Sequence, residues 1–453
     1  MSLAPTAPRT RPPRSGTVYT RGPAMAAPEA KEKPASVPVT TGWQRLAAVF
    51  VVSLLLPWLV SIGPLNLSPY RIVLLLAFPF CLVRWLSGRA GGVRVTDLLV
   101  VLFCIWCGLS MVNANGIGSA WQSVGIQFIE LFGAYLLARC AIRSADDFVA
   151  IWRLALRLAI LAAPLLVFET LTGTNLFTRF SIPGLHTFEA SGEMRNSYFR
   201  AAGPFEHPIL NGTFFGSLLA FAALVYAPGT RLYVRLVRCA AVVAATISSL
   251  SAGPIGILGL QGGLLLWNTL LRKLHGRWIV LASLVGAGIT ALSLVARRPP
   301  IEIITSLIVF DPQSYWFRTL IWKYAMAAIA ANGLFGTPGN WARPYWMPAS
   351  IDNLWLLTGV FYGYPALILL ALIFVSVFIE LIRARVEPRI AEYRLAILIS
   401  LISFALTGLT VHIWGAAAAL LFFVLGSGSW MLAKQEEPAR QPSPGKVKLR
   451  LVQ

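Results

Sequence analysis

Two segments of this chain carry side chains that could bind an anion and move a proton. In the first, residues 195–208 (RNSYFRAAGPFEHP), two arginines, Arg195 and Arg200, precede the adjacent pair Glu206 and His207. A guanidinium can hold two phosphate oxygens, and a carboxylate or imidazole can act as a general base. The Gly-Pro pair between them predicts a bend that points Arg200 back over the neighbouring helices. These arginines could equally just bind lipid headgroups.

The second segment, residues 311–363, is an aromatic and basic stretch between long apolar runs. Loops of this length between membrane spans usually carry function, so we expect a binding or catalytic site here. Its aromatic residues could also form an interfacial belt. The residues of interest are Arg318, Lys323, Arg343, Trp346, Asp352 and Asn353.

Residues that usually hold metals or form disulfides are too dispersed for either role. No two of the four histidines lie within one helical turn of each other. The pair Cys104 and Cys107 sits in an apolar run without a histidine or a second cysteine pair, and all five cysteines lie in or beside apolar runs. We therefore predict no bound transition metal, no cofactor and no disulfide.

The composition is that of a polytopic membrane protein. Hydrophobic residues make up 57% of the chain, charged residues 12%, and the mean hydropathy is +0.70. A net charge of +20 could suggest nucleic acid, but the charges punctuate apolar segments and do not form a basic face on a soluble surface. Membrane topology explains them better, so we predict a lipid bilayer around the chain and no nucleic acid partner.

The apolar runs predict an all-α polytopic membrane protein with about 12 transmembrane helices. The tract Ser251–Pro254, between the seventh and eighth runs, could be a tight hairpin or a kink in one long helix. The predicted spans are 44–63, 71–87, 97–114, 121–140, 149–171, 208–228, 236–252, 254–271, 278–296, 353–379, 393–410 and 412–433.

Positive charge is distributed unevenly between the two sides of these spans. With a cytoplasmic N-terminal tail, most of the 38 Lys and Arg lie inside, and those outside concentrate in loops 172–207 and 297–352. This predicts cytoplasmic termini, two periplasmic loops, and a long periplasmic loop between spans 9 and 10. The chain then comprises a disordered basic tail over 1–42, a transmembrane domain over 43–434 and a disordered tail over 435–453. The first apolar run begins too late for a cleaved signal peptide, so we expect retention in the inner membrane.

Three motifs occur in the order and spacing of one membrane enzyme family. RAAGPFEHPILNG begins at Arg200, RTLIWKYAMAAIAANGLFGTPG begins at Arg318, and IDNLWL begins at Ile351 with Gly363 following. They resemble the Arg-x-x-Gly-x-Phe-x-x-Pro-Asn signature, the Arg-led amphipathic helix and the His-Asn-x-x-Leu then Gly element of the O-antigen ligase and polysaccharide polymerase superfamily. The resemblance covers roughly residues 70 to 430.

The resemblance implies a metal-independent inverting glycosyltransferase of the bacterial inner membrane. Its donor would be an undecaprenyl diphosphate-linked oligosaccharide on the periplasmic side, and its acceptor a glycan. Arg200 and Arg318 match the family's diphosphate-binding positions, and the leaving diphosphate needs such cations. Aromatic rings could stack on the sugars. Further expected substrate contacts are Arg195, Lys323, Arg343, Asn353 and Trp346.

Two positions depart from the family pattern. Asp352 stands where ligases carry His, and Ser251-Ala252-Gly253 replaces the Arg usual in the hairpin after span seven. A carboxylate can act as a base, but its ordinary pKa of about 3.9 makes it a weak one unless burial raises the pKa. Asp352 is the first candidate base, with His207 and Glu206 next and Asp311 behind them. Asp352 could alternatively serve only to cap the following helix.

These departures favour a polymerase of exopolysaccharide or O-antigen over a ligase that transfers glycan to lipid A core or protein. A polymerase would work with a flippase and a chain-length regulator protein. A glycan or small-anion transporter is the alternative of another class, and a non-catalytic assembly subunit is a third. Transport is less favoured because the chain lacks two similar halves and has few ionisable residues within spans. Those residues are Glu130, Arg153, Arg157, Glu169 and Glu380.

Overall fold

The computed structural model describes residues 42–63, 65–179, 185–188, 192–297, 312–339, 341–347 and 350–433. The predicted tail 435–453, the predicted tail 1–42 up to residue 41, and positions 298–311 of the long loop lie outside the described residues. Within those ranges the chain is mostly helical, as predicted, with five short strands.

The helices are numbered in chain order, and a π-helical turn, Ile129–Gly133, joins α4 to α5. They are α1 Gly42–Ser53, α2 Pro69–Leu86, α3 Val95–Asn115, α4 Ile117–Phe128, α5 Ala134–Ala141, α6 Ala145–Thr172, α7 Leu176–Arg179, α8 Pro208–Gly216, α9 Leu219–Leu224, α10 Leu232–Ile247, α11 Ala252–Leu270, α12 Arg277–Ala296, α13 Pro312–Ala331, α14 Leu354–Arg383, α15 Pro388–Thr407, α16 Gly415–Ser427 and α17 Trp430–Ala433. Antiparallel strands β1 Trp58–Ile62, β2 Leu65–Leu67 and β3 His186–Thr187 form one sheet in the order β2-β1-β3, and β4 Met194–Arg195 pairs with β5 Tyr198–Phe199.

Eight helical segments of the described chain are long and apolar enough to cross a membrane, which agrees with a multi-pass membrane protein. Each coincides with one predicted span. Twelve spans stay a prediction, because the runs 44–63, 208–228, 236–252 and 254–271 are not among the eight. The eight segments are Pro69–Leu86, Val95–Asn115, Ile117–Ala141, Ala145–Thr172, Arg277–Val295, Leu354–Arg383, Pro388–Thr407 and Gly415–Leu432.

The first apolar run differs most from its prediction. Helix α1 ends at Ser53, and the chain continues as strands β1 and β2, with Val60 paired to Leu67. Pro57 lacks a backbone N–H and disfavours helical geometry at the residue before it, so it favours the end of the helix here, although α2 and α6 continue through Pro79 and Pro164. An apolar run of this kind does not by itself distinguish a strand pair from a helix.

The tract between α10 and α11 is a tight hairpin, the first of the two predicted alternatives. Helix α10 ends at Ile247 and α11 begins at Ala252. Leu250 makes the reversal with a left-handed backbone (φ 45°). This α10–α11 turn, residues 248–251, becomes one wall of the site described below.

Helix α16 forms the centre of the bundle, where it packs against α5. Gly426 permits their close approach, because a Cβ at that position would lie 2.4 Å from the backbone oxygen of Tyr135. Small residues at helix crossings serve the same purpose in membrane proteins generally. The turn 408–414 that leads into α16 therefore has a fixed position relative to the bundle.

Candidate functional site

The two segments singled out from the sequence meet at one cavity of about 200 Å³. Residues that are separated by more than a hundred positions in the chain share its lining. Five predicted site residues are among them: Arg195, Arg200, His207, Arg318 and Asp352. Ser251, Ala252 and Gly253 complete one wall.

A two-residue hairpin sets the position of Arg200. Asn196 and Ser197, between β4 and β5, both have left-handed backbones (φ 51° and 66°), which suits the tight turns that connect paired strands. The hairpin closes so that the backbone N–H of Arg200 donates to the oxygen of Glu193 at 2.8 Å. Glu193 and Arg200 thus stand side by side at the end of the hairpin.

The bend predicted at Gly203 is held by a carboxylate from helix α6. Glu169 accepts the backbone N–H groups of Ala202 and Gly203 at 2.9 and 3.0 Å. Gly203 has φ +60°, a left-handed backbone that glycine adopts without strain, and a Cβ there would push the end of the Leu166 side chain aside. This anchor fixes the chain between Arg200 and His207 against the bundle.

The α10–α11 turn binds the two arginines of the first segment. Arg195 donates from Nη1 to the carbonyl of Leu250 at 3.0 Å. Arg200 donates from Nε to the carbonyl of Ser249 at 3.3 Å and from Nη2 to the hydroxyl of Ser251 at 2.8 Å. The α10–α11 turn, which carries no arginine of its own, therefore holds Arg195 and Arg200 from the neighbouring β4–β5 hairpin.

Asn353, and not Asp352, caps helix α14. The Asn353 oxygen accepts the N–H of Leu356 at 2.9 Å, and its amide donates to the carbonyl of Leu409 at 2.7 Å. These bonds occupy the buried Asn353 side chain and tie the start of α14 to the turn before α16. Asp352 is left with no capping role, and its side chain lines the cavity.

The same turn contacts the arginine of the second segment. Arg318 lies on α13 and donates from Nη2 to the carbonyl of Thr410 at 3.4 Å. Its side chain is half-buried and faces the cavity together with Asp352. The turn at 408–411 thus places a cation and a carboxylate at one wall.

The Asp352 carboxylate is half-buried, and within the described residues it makes no hydrogen bond and no ion pair at contact distance. Burial raises its pKa above the ordinary range, while the charges of Arg318, His207 and Arg200 oppose that rise. A carboxylate with free lone pairs and a raised pKa is a suitable proton acceptor. The geometry therefore favours Asp352 over His207 and Glu206 as the base, while Asp311 lies outside the described residues.

His207 is poorly placed to accept a proton. Its Nδ1 accepts the backbone N–H of Ile209 at 3.1 Å, so the neutral ring carries its proton on Nε2. Nε2 lies 3.6 Å from a carboxylate oxygen of Glu193. Burial lowers the pKa of His207. A further proton would have to displace the cap of α8, so His207 is better suited to donate than to act as a base.

Glu193 is the site residue that the sequence analysis missed. Its carboxylate forms an ion pair with Arg200 and lies beside His207, while 42% of its side chain remains exposed. The sequence signal that could have identified Glu193 is the Asn-Ser pair at 196–197. This pair predicts a hairpin, and a hairpin there would place Glu193 beside Arg200. Glu193 therefore contacts Arg200 and His207, the two groups that an anionic ligand would also contact.

The other predicted site residues lie outside the cavity lining, and their roles stay predictions. Glu206 accepts a hydrogen bond from the Trp414 indole at 2.8 Å. Arg343 donates to backbone oxygens of its own loop, at Met347 and Trp341, 3.1 and 3.3 Å away. Lys323 and Trp346 are exposed.

The assembled cavity combines three guanidinium groups with one carboxylate, Asp352, that has no hydrogen-bond partner in the part of the chain that the structure describes. Such a set can bind a diphosphate through the cations and take a proton from a nearby hydroxyl. Within the described ranges, no three His, Cys, Asp or Glu side chains lie close enough together to hold a metal ion. Comparisons with protein-family models and with curated proteins found no match for this chain.

Proposed function

We propose that this chain is a membrane glycosyltransferase of cell-surface polysaccharide assembly. It transfers an undecaprenyl diphosphate-linked oligosaccharide to a glycan acceptor on the periplasmic side of the inner membrane, as a polymerase of exopolysaccharide or O-antigen. The observation that supports it most is that the Asp352 carboxylate, which has no partner among the described residues, lines one cavity with Arg200 and Arg318. The family resemblance of the segments around these residues points the same way.

In this mechanism the acceptor hydroxyl attacks the anomeric carbon of the donor sugar. Asp352 takes the hydroxyl proton as the new C–O bond forms, and the bond from carbon to the diphosphate oxygen breaks. Arg195, Arg200 and Arg318 stabilise the charge that collects on the departing diphosphate. A single displacement of this kind inverts the anomeric configuration. The cavity contributes chiefly by holding donor and acceptor in line.

The carboxylates within the predicted spans favour an enzyme over a transporter. Glu130 is bound by Tyr70 and by Arg71, whose Nε lies 2.7 Å away. Glu169 is occupied by backbone N–H groups, and Glu380 accepts the Thr96 hydroxyl at 3.0 Å. Carboxylates with such fixed partners stabilise the fold. A transport path instead needs ionisable groups that can exchange one partner for another.

Reconstitution tests the proposal directly. Protein in liposomes that contain undecaprenyl diphosphate-linked repeat units from its own host should release undecaprenyl diphosphate and lengthen the glycan. Mass spectrometry of the extracted lipids and glycans measures both products. Transfer only after addition of lipid A core would make the protein a ligase. Movement of intact lipid-linked glycan across the bilayer without a new linkage would make it a transporter.

Glu193→Gln should tighten donor binding, because Glu193 competes with the diphosphate for Arg200 and His207. Part-exposed ion pairs contribute up to about 1 kcal/mol, so we expect the KM for donor to fall by up to about fivefold with little change in kcat. Steady-state kinetics at varied donor concentration provide the measurement. Glu387→Gln, an exposed carboxylate at the start of α15, is the matched control. A higher KM in Glu193→Gln would show instead that Glu193 positions Arg200 for the donor.

A further inference from the structure

Three arginines form a second cationic cluster, away from the cavity. Arg153 and Arg157 lie four residues apart on α6 and therefore share one face, and Arg238 lies on α10, which packs along α6. The three are close enough for the charges of Arg153 and Arg157 to act on Arg238. Arg238 is roughly 16 Å, at 1.5 Å per residue, from the α10–α11 turn that lines the cavity. The cluster is thus distinct from the proposed active site.

The cluster carries charge that the described residues do not balance. Arg238 is only 7% exposed, and its Nη1 is buried without a hydrogen-bond partner. The described residues give none of the three guanidinium groups a hydrogen bond or an ion pair, and no carboxylate acts on Arg238. A buried, unpaired charge is costly, so an anion from outside the chain would stabilise this arrangement.

The surroundings indicate where that anion comes from. Leu161 on α6 and Leu236 and Val237 on α10 flank the cluster and are 67%, 59% and 49% exposed. In a membrane protein, exposed apolar side chains on helices face the acyl chains of lipids. An anion that reaches the cluster across this surface would itself carry apolar chains.

We infer that Arg153, Arg157 and Arg238 bind the phosphate of an anionic membrane lipid. Snorkelling towards the interface accounts for Arg157, which is exposed, but not for Arg238, whose head group is buried against the bundle. A phosphate oxygen that accepts a hydrogen bond from Arg238 would pair the buried charge, while Arg153 and Arg157 donate to the remaining oxygens. The acyl chains would lie along Leu161, Leu236 and Val237.

Thermal unfolding of the full chain in neutral detergent tests this site. Mixed micelles with dioleoyl phosphatidylglycerol should raise the Tm of the wild-type protein by about 2 to 5 °C, and dioleoyl phosphatidylcholine should not. Arg238→Gln should lose that rise, and without lipid its Tm should equal or exceed that of the wild type, because a buried charge has been removed. Arg157→Gln, at an exposed position, should also lose the rise and serves as the variant of choice if Arg238→Gln does not fold.

Arg235→Gln is the matched control on the same helix. Arg235 donates to the carbonyl of Ala223 at 2.8 Å and lies over the Tyr226 ring, so its charge is already engaged. This variant should keep the response to phosphatidylglycerol. The inference is overturned if both lipids act alike or if Arg157→Gln and Arg238→Gln respond as the wild type does. An equal rise with sodium phosphate would assign the site to a free anion and overturn its assignment to a lipid.

Discussion

Replacing Asp352 by Asn is expected to lower glycan transfer by about 100- to 10,000-fold while the protein still folds, the range that general base catalysis supplies. Asn keeps the size of the side chain but cannot accept the proton of the acceptor hydroxyl. The fold should survive because the helix cap at this position belongs to Asn353. Release of undecaprenyl diphosphate from reconstituted protein measures the loss.

The same substitution should leave stability equal or higher at neutral pH. Burial raises the pKa of Asp352, so the folded state disfavours the charged form. When folding raises the pKa of a carboxyl group, the protonated group stabilises the folded state at pH values below its ordinary pKa. This stabilisation is lost as the pH rises from the ordinary pKa through the raised pKa of the folded state. Asn does not ionise, so the variant does not lose stability in this way. The Tm of the variant minus that of the wild type should therefore grow as the pH rises between these two pKa values. The wild-type activity should fall as pH drops through the same raised pKa.

Asp146→Asn is the control for both measurements, since Asp146 is exposed in the first turn of α6 and lies outside the cavity. It should change neither transfer nor the pH dependence of Tm. Full transfer by folded Asp352→Asn would remove the base role from Asp352 and make Glu206 the next residue to test.

Arg200→Lys and Arg318→Lys should each lower transfer by about 10- to 100-fold, which corresponds to losing one hydrogen bond to a charged group. Lysine keeps the charge but cannot bind two phosphate oxygens in the planar geometry of a guanidinium. At position 200 it would also be unable to reach Ser249, Ser251 and Glu193 at once, as Arg200 does. The loss should appear with saturating acceptor and persist in membranes that contain normal amounts of protein.

Arg385→Lys, at an exposed position between α14 and α15, is the matched control and should transfer at the wild-type rate. Native rates in both Arg200→Lys and Arg318→Lys would exclude two-point binding of a diphosphate. A loss in only one of them would assign the diphosphate to that arginine alone.

The sequence predicted the membrane class and most of the helices, because long apolar runs have few other structural uses. It did not distinguish the strand pair at 58–67 from a helix, since Pro57 is the main local signal in that apolar run and Pro79 and Pro164 lie inside helices of similar runs. Where proline and serine fell between two runs, as at Ser251–Pro254, it left two alternatives that only packing could resolve.

The candidate site was harder to predict, because its members come together only in the folded chain. Arg200, Arg318 and Asp352 were singled out through their motifs, and all three line the cavity. Glu193 has no motif of its own, and its position follows from a two-residue turn. The inference that His207 is poorly placed to act as a base depends on a backbone N–H that no side-chain pattern reveals.

The cations of the cavity are held largely by main-chain oxygens: those of Ser249, Leu250 and Thr410. Every residue type presents the same carbonyl, so what the arginines need from these positions is the path of the backbone. The side chains of Ser249 and Thr410 are fully buried and donate to the carbonyls of Thr246 and Thr407, which holds that path in place. A deep mutational scan of the site would then show intolerance at the two turns as well as at the arginines, although, in the part of the chain that the structure describes, the side chains at 249, 250 and 410 bind no arginine themselves.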